Sequence, residues 1–432
     1  MLFQRLLRGL EVTVILFIIA SVAGLSNPAL TNPIEKIRAF TRDIEFDYIE
    51  WMMDAAILKV RAASINLPYT IDRVTQKQIV DEYIRTIQSI LEKEYLLSQI
   101  YADPAIQDKE TYSADLRDEL NKLYTRQNQL SPLAEAVLQG QVTEVLSEIG
   151  LTSAGQPIPN VWYHSTRLPM ALIVSPRERI EQTANISVDM NLTVDEQAAL
   201  ESNVDKNLNT SSLVVQIGGV GVYPTMVART TDLNWMLNTI SHEWIHNYLM
   251  FRPLGILYSE SPETRTINET TASIAGDEIG RLVLEKFYPE RISASSLDLQ
   301  LVAFSFDIPN PGDIPRPPFD FRAQMYETRV NADALLAEGK IEEAETYMEE
   351  RRQVFLRNGY LLRKINQAYF AFHGAYADVP GGAAGQDPIG PAVRALREQS
   401  DSLADFVKTV AWITTLDELQ EELNVESGSL LP

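Results

Sequence analysis

The sequence predicts an α+β fold that is predominantly helical, with a mixed β-sheet and two long helices at its centre and helical regions at both ends. Three observations carry this reading. Apolar residues recur at helical spacing over roughly 32–150 and again beyond 320, short β-type runs cluster between Val161 and Ala228, and long periodic segments resume directly after those runs. With 432 residues, 45% hydrophobic and 22% charged, the chain has enough apolar material for a sizeable core.

At the N-terminus, Arg5 and Arg8 precede an uncharged, mostly apolar run of 14 residues, Val12 to Leu25 (VTVILFIIASVAGL). A basic flank stays in the cytoplasm and the segment after it enters the membrane. Counted back to Gly9 or on to Leu30, the run approaches the roughly 20 residues of a tilted span. Residues 1–31 are therefore expected to be an uncleaved single-pass anchor with the C-terminal body outside the cytoplasm. Small residues at Ser21-Val22-Ala23 supply the alternative, a cleaved signal and a secreted body.

From 32 to 155 a helical region is expected, with amphipathic stretches at Ile44–Ile57, Ile79–Ile100 and Leu116–Leu130. Turn signals at Leu67-Pro68, Asp103-Pro104 and Ser131-Pro132 divide it. The β-type runs are Val161–Ser165, Met170–Val174, Ile186–Leu192, Leu213–Ile217 and Val220–Val227, and Gly218-Gly219 predicts a hairpin between the last two. A long helix should start near Thr231, with Asp232 in its first turn, and stop before Pro253; a second should cover about Ile267–Phe287. These runs and helices make a core over 156–307. A proline-rich linker, Ile308–Pro318, opens a C-terminal helical region over 308–432, with helices at Phe321–Ala337 and Ile341–Phe372, a Gly/Pro loop and short terminal helices. Leu335–Tyr347 has the character of a tetratricopeptide helix pair, but one copy is not a repeat, so a solenoid is excluded.

Charge and composition narrow the chemistry. Lys and Arg number 37 against 59 Asp and Glu, a net charge of −22, and no basic cluster interrupts this balance, so a nucleic-acid partner is not expected. The absence of cysteine excludes thiol nucleophiles, disulfide scaffolds, iron–sulfur clusters and cysteine zinc sites. A metal must then be held by His, Asp or Glu, and the histidines are His164, His242, His246 and His373.

Two of them stand in His242-Glu243-Trp244-Ile245-His246, an HExxH motif inside the first long helix. One turn apart, their imidazoles lie about 40° apart around the axis and can reach one ion. Glu243 falls about 100° away, placed to act as general base on a metal-activated water. The following helix contains Asn268-Glu269, and Ala272, Ser273, Gly276 and Gly280 lie on the face of Glu269. A small-residue face lets two helices approach closely enough for a short carboxylate to reach a metal on the other.

At this point the sequence resembles the gluzincin zinc metallopeptidases, whose HExxH helix is followed by a second helix opening with an Asn-Glu pair. The resemblance implies a zincin-like fold for 156–307 and one Zn2+ per chain, held by His242, His246 and Glu269, with Glu243 as base and proton shuttle. Ser273 stands where several gluzincins carry an Asp that orients a zinc histidine. Asp277 is the alternative, as a residue behind the ligands or as a ligand itself, and Glu260 and Glu263 remain open as the third ligand. Zincins bind extended peptides along an edge strand, and Leu213–Val227 is placed for that role; an ordinary hairpin fits as well. An oxyanion donor is expected from Asn366–Tyr376, where Tyr369, His373 and Tyr376 share helical spacing; a packed aromatic stripe is the competing reading. His164 reads as a structural or surface histidine.

The wider pattern is similar to bacterial predicted membrane-anchored aminopeptidases over roughly Asp232–Val410. The Gly-x-Met-Glu-Asn loop of large aminopeptidases is absent, so aminopeptidase activity rests on that similarity alone. The expectation is an exported zinc-dependent peptidase acting on a peptide or protein substrate and tied to the membrane by its N-terminal segment. The rivals are a catalytically silent zincin serving as a binding or scaffold module, and a metal hydrolase acting on a non-peptide bond. Oligomeric state and exo- versus endo-cleavage have no signature in the sequence.

Overall fold

The computed structural model describes residues 32–63, 71–102, 106–295 and 319–429. The apolar run Val12–Leu25, the turn signals Leu67-Pro68 and Asp103-Pro104 and the proline-rich stretch Ile308–Pro318 lie outside these residues. The protein is α+β and predominantly helical. Among the described residues no helix is long and apolar enough to cross a membrane.

The N-terminal region contains α1 (Pro33–Arg38), α2 (Tyr48–Ala63), α3 (Arg73–Ala102) and α4 (Ala114–Glu148). Pro132, expected to mark a turn, lies inside α4. Proline removes one backbone donor and crowds the preceding turn. The helix tolerates this because Leu130, Ala134, Val137 and Leu138 on either side are buried in the main core with Val80, Tyr83 and Ile87 of α3.

The β-type runs form β1 (Tyr163–Thr166), β2 (Met170–Pro176), β3 (Ala184–Val188), β4 (Thr210–Gln216), β5 (Gly219–Val220) and β6 (Thr225–Ala228). They make two three-stranded sheets in place of the single mixed sheet expected. One is antiparallel in the order β3-β2-β4, with Leu172 paired to Ile186 and to Val214. The other is mixed, in the order β1-β6-β5, parallel between β1 and β6 and antiparallel between β5 and β6. Gly218-Gly219 is therefore where the chain passes from one sheet to the other, and the hairpin lies within the run read as Val220–Val227. Between β3 and β4 stands α5 (Val194–Leu208), a helix that the β-type reading passed over; Thr193 and Glu196 close its first turn with a reciprocal capping box.

The antiparallel sheet is buried on both faces. Met170, Leu172 and Val174 point to one side with Leu200 and Val204 of α5, while Ala171 and Ile173 point to the other, as alternation requires. That second face is covered by α8 (Phe321–Ala337), α9 (Ile341–Arg357) and α10 (Gln367–His373), which follow the two central helices α6 (Leu233–Leu249) and α7 (Pro262–Phe287) in the chain. The expected helix Ile341–Phe372 is thus interrupted. Asn358-Gly359 ends α9 with Gly359 at φ +92°, and Asn366 caps α10 through the backbone N–H of Tyr369 at 2.9 Å.

At the centre lie α6 (Leu233–Leu249) and α7 (Pro262–Phe287). Asp232 caps α6 and Ser261 caps α7, with Pro262 at its first position. Both pack into the main core with α3, α4 and the C-terminal helices α11 (Ile389–Gln399), α12 (Leu403–Val410) and α13 (Leu416–Ser429).

Candidate metal centre

Helix α6 carries His242, Glu243 and His246, and its opposite side is fastened to the scaffold. Trp244 donates its indole N–H to the Pro159 carbonyl at 2.8 Å, and Asn247 donates to Thr225 Oγ1 on β6 at 2.9 Å. Helix α7 approaches along Ala272, Gly276 and Gly280. A Cβ on Gly276 would stand 2.9 Å from His242 Cα, and one on Gly280 would stand 2.8 Å from the Asn238 backbone nitrogen. The small-residue face anticipated from the sequence is thus the contact that lets Glu269 reach the two histidines.

His242, His246 and Glu269 offer three donor atoms that all lie within 4.8 Å of one another. The two Nε2 atoms are 3.1 Å apart, and Glu269 Oε2 stands 3.5 Å from each. Glu269 is 4% exposed and its Oε2 has no hydrogen-bond partner. Three lone-pair donors crowd one point with an orphaned carboxylate oxygen among them, a donor set that suits a divalent cation preferring nitrogen and carboxylate oxygen.

The surrounding residues orient these three side chains. Asn268 Oδ1 accepts from His246 Nδ1 at 2.7 Å while its amide donates to the Leu254 carbonyl at 3.0 Å. This directs the Nε2 of His246 toward the site. Tyr258 donates its hydroxyl to Glu269 Oε1. Burial opposes charge on His246, yet Glu269 beside it pushes its pKa up to about 9. Glu269 itself is held well below the usual carboxylate range by the two histidines despite its burial. Burial, helped by the nearby Glu269 charge, raises Glu243.

Glu243 lies beneath β5. A Cβ on Gly219 would fall 2.3 Å from its Oε1, so the strand backbone passes directly over this carboxylate and a side chain at 219 would displace it. β5 is an edge of its sheet and, with Gln216 to Val222, lines a cleft of about 820 Å³ that contains His242, His246, Glu269 and Glu243.

The remaining sequence-derived residues separate. Tyr376 and His373 line the cleft, and the Tyr376 ring lies 6.2 Å from that of His242. Burial first, and then Glu269, raises the Tyr376 hydroxyl well above its usual value, so it stays protonated. Burial lowers His373 to about 4, leaving it neutral at pH 7. Tyr369 does not line the cleft; it packs with Phe355, Phe370 and Ile365 against the sheet. Asp277 lies outside the donor trio, on the cleft wall, accepting from Asn238 at 2.7 Å. Withdrawal from water and the neighbouring Asp378 push it up to about 6. Glu260 and Glu263 line an adjoining hollow of about 740 Å³, and Glu263 accepts from the Leu416 backbone.

His164 stands on β1, apart from the other histidines. Its Nδ1 bonds Glu135 of α4 at 2.9 Å, and Lys59 of α2 pairs with the same carboxylate. Sequence reasoning missed Tyr258, Asn268 as the partner of His246, and Asp378. Tyr258 sits in the irregular stretch between α6 and α7, where no periodicity points to it.

No protein-family model, no curated protein and no solved structure matches this chain.

Proposed function

We propose that the protein is an exported, zincin-like, zinc-dependent peptidase whose body is tied to the membrane by residues 1–31. The convergence of His242, His246 and Glu269 beside Glu243, with an unpartnered, buried Glu269 oxygen, carries this reading. When bound, zinc would supply Lewis acidity toward the scissile carbonyl and toward water.

The protein's own residues supply the rest. Glu243, raised by burial, accepts the proton of the attacking water on its carboxylate and passes it to the leaving amine. The β5 edge over Glu243 aligns an extended polypeptide by main-chain hydrogen bonds. Tyr376, protonated and facing His242, donates its Oη–H to the developing oxyanion, and neutral His373 adds a second polar group on the same wall. Tyr258 and Asn268 hold Glu269 and His246 in place.

Metal analysis of the purified full chain is expected to find one zinc per chain, greatly reduced in Glu269→Ala and retained in Asp277→Ala. Glu243→Gln should keep its zinc and lose hydrolysis of a mixed peptide library by about 10²–10⁴-fold. Zinc-loaded protein with full activity in Glu243→Gln sinks the mechanism. Zinc-loaded protein that cleaves esters but no peptide sinks the substrate class.

A further inference from the structure

Helix α2 is built inside out. Its inward residues are Ala55 and Lys59, whereas Ile49, Met53, Ile57 and Val60 are 70%, 61%, 48% and 59% exposed. At about 100° per residue these four fall within an arc of about 80°, on the side away from Lys59. Half-buried Ala56 widens the arc, and exposed Glu50 and Asp54 border it. The helix cannot roll to hide this face, because Lys59 is buried against Glu135 of α4 and would be stripped of its counter-charge.

We propose that this face of α2 rests in the headgroup region of the bilayer entered by Val12–Leu25, an inference that rests on the membrane-anchor part of the function proposed above. The described body begins at Asn32, seven residues after Leu25 (32 − 25 = 7), a reach of at most about 25 Å. The anchor therefore holds Asn32, at the start of α1, within that distance of the surface it enters. A second copy fits poorly: 16 residues make a strip about 24 Å long and about 10 Å wide, well short of the roughly 800 Å² per partner of a stable dimer. The apolar run itself also fits poorly, because one of its sides would cover α2 and the others would remain in water. An apolar arc edged by charge is the pattern of a helix lying in the interface plane. With a net charge of −22 and acidic residues at its edge, the docking surface is zwitterionic lipid, with anionic lipid weakening it.

Docking narrows the substrate class. Tyr48, the first residue of α2, shares a hydrogen bond of 2.7 Å with Ser187 of β3, and both line the cleft. A seated α2 brings that end of the cleft to the membrane, so the substrates it serves are polypeptide segments close to the lipid surface.

The natural chain has no cysteine, so one introduced thiol carries a unique label. Full-length Met53→Cys, Ile57→Cys and, on α9, the exposed control Glu350→Cys would each carry a nitrobenzoxadiazole fluorophore and be reconstituted with phosphatidylcholine vesicles containing a headgroup-proximal nitroxide lipid. The labels at 53 and 57 are expected to shift to the blue and to be quenched several-fold more than the label at 350, less so when phosphatidylglycerol is added. Chain that floats with vesicles while labels at 53 and 57 behave like the control overturns the docking and leaves the anchor standing. Chain that does not float overturns the anchor and the docking together. Labels already shielded without vesicles assign the face to another copy or to the chain's own N-terminal segment and also overturn it.

Discussion

Gly276 of α7 lies against the backbone of His242 on α6, so close that a methyl group added to it would stand 2.9 Å from the histidine's nitrogen and Cα. Backbone cannot yield as a side-chain tip can, so Gly276→Ala must separate the two helices that carry the three donor residues. The variant is expected to lose about 1–3 kcal/mol of stability and to bind zinc more weakly. Gly140→Ala, with nothing within 4 Å of the new methyl, should instead gain up to about 1 kcal/mol. Thermal unfolding and zinc titration of the pair check this, and an undisturbed Gly276→Ala would refute the close contact.

Asn268 bonds the Nδ1 of His246 at 2.7 Å, and on the proposed function it would act on the metal through that imidazole. Asn268→Ala frees the imidazole to turn, and zinc affinity should fall by about 10–100-fold. Competition with a calibrated chelator measures this. Equal affinities would mean that packing alone holds the ring.

Tyr376 and Tyr369 are neighbours in sequence with opposite surroundings. On the proposed mechanism Tyr376→Phe should lower kcat with KM little changed, because it would remove the donor to the forming oxyanion. Tyr369→Phe should leave kcat alone, since that ring packs against the sheet. The reverse ranking in steady-state kinetics would move the donor to the other tyrosine.

Glu135 predicts an acid limit to stability. Burial opposes its charge, but Lys59 and His164 lower its pKa from 4.5 to about 2 in the folded chain. A carboxylate lowered on folding contributes stability that is complete above about 4.5 and is lost as pH falls from there toward about 2. That contribution is on the order of a few kcal/mol. Melting temperatures followed from pH 6 to pH 2 should therefore drop more steeply in the natural chain than in Glu135→Gln. Above pH 6 the variant should be the less stable by about 3–5 kcal/mol, because it leaves the Lys59 ammonium buried and unpaired. Parallel curves would show that the pair contributes no pH dependence.

Much of the donor set was legible because it is local. The spacing of His242 and His246 is a property of one helical turn, and the small residues after Glu269 announce a close neighbour without saying which one. Asp232 and Ser261 mark helix starts by their own side chains. What depends on distant partners was not legible. The sheet to which Leu213–Ile217 belongs is decided by pairing with β2, some 40 residues earlier, so the hairpin at Gly218-Gly219 was a local signal overruled by a remote one. Pro132 was overruled in the same way by packing against α3. Asn358-Gly359 did carry a stop signal, and the long periodicity on either side masked it. The choice between Tyr369 and Tyr376 needed the direction of one short helix relative to His242, which spacing alone does not give.

Because every donor atom rides on α6 or α7, the separation of those helices would work as a calliper on the ion proposed to lie between them. Gly276 and Gly280 set its jaws near their closest approach. Widening the jaws by one methyl at a time would sort cations by size with no change to the ligands, which makes these two positions, rather than the histidines, the place to retune metal preference by engineering.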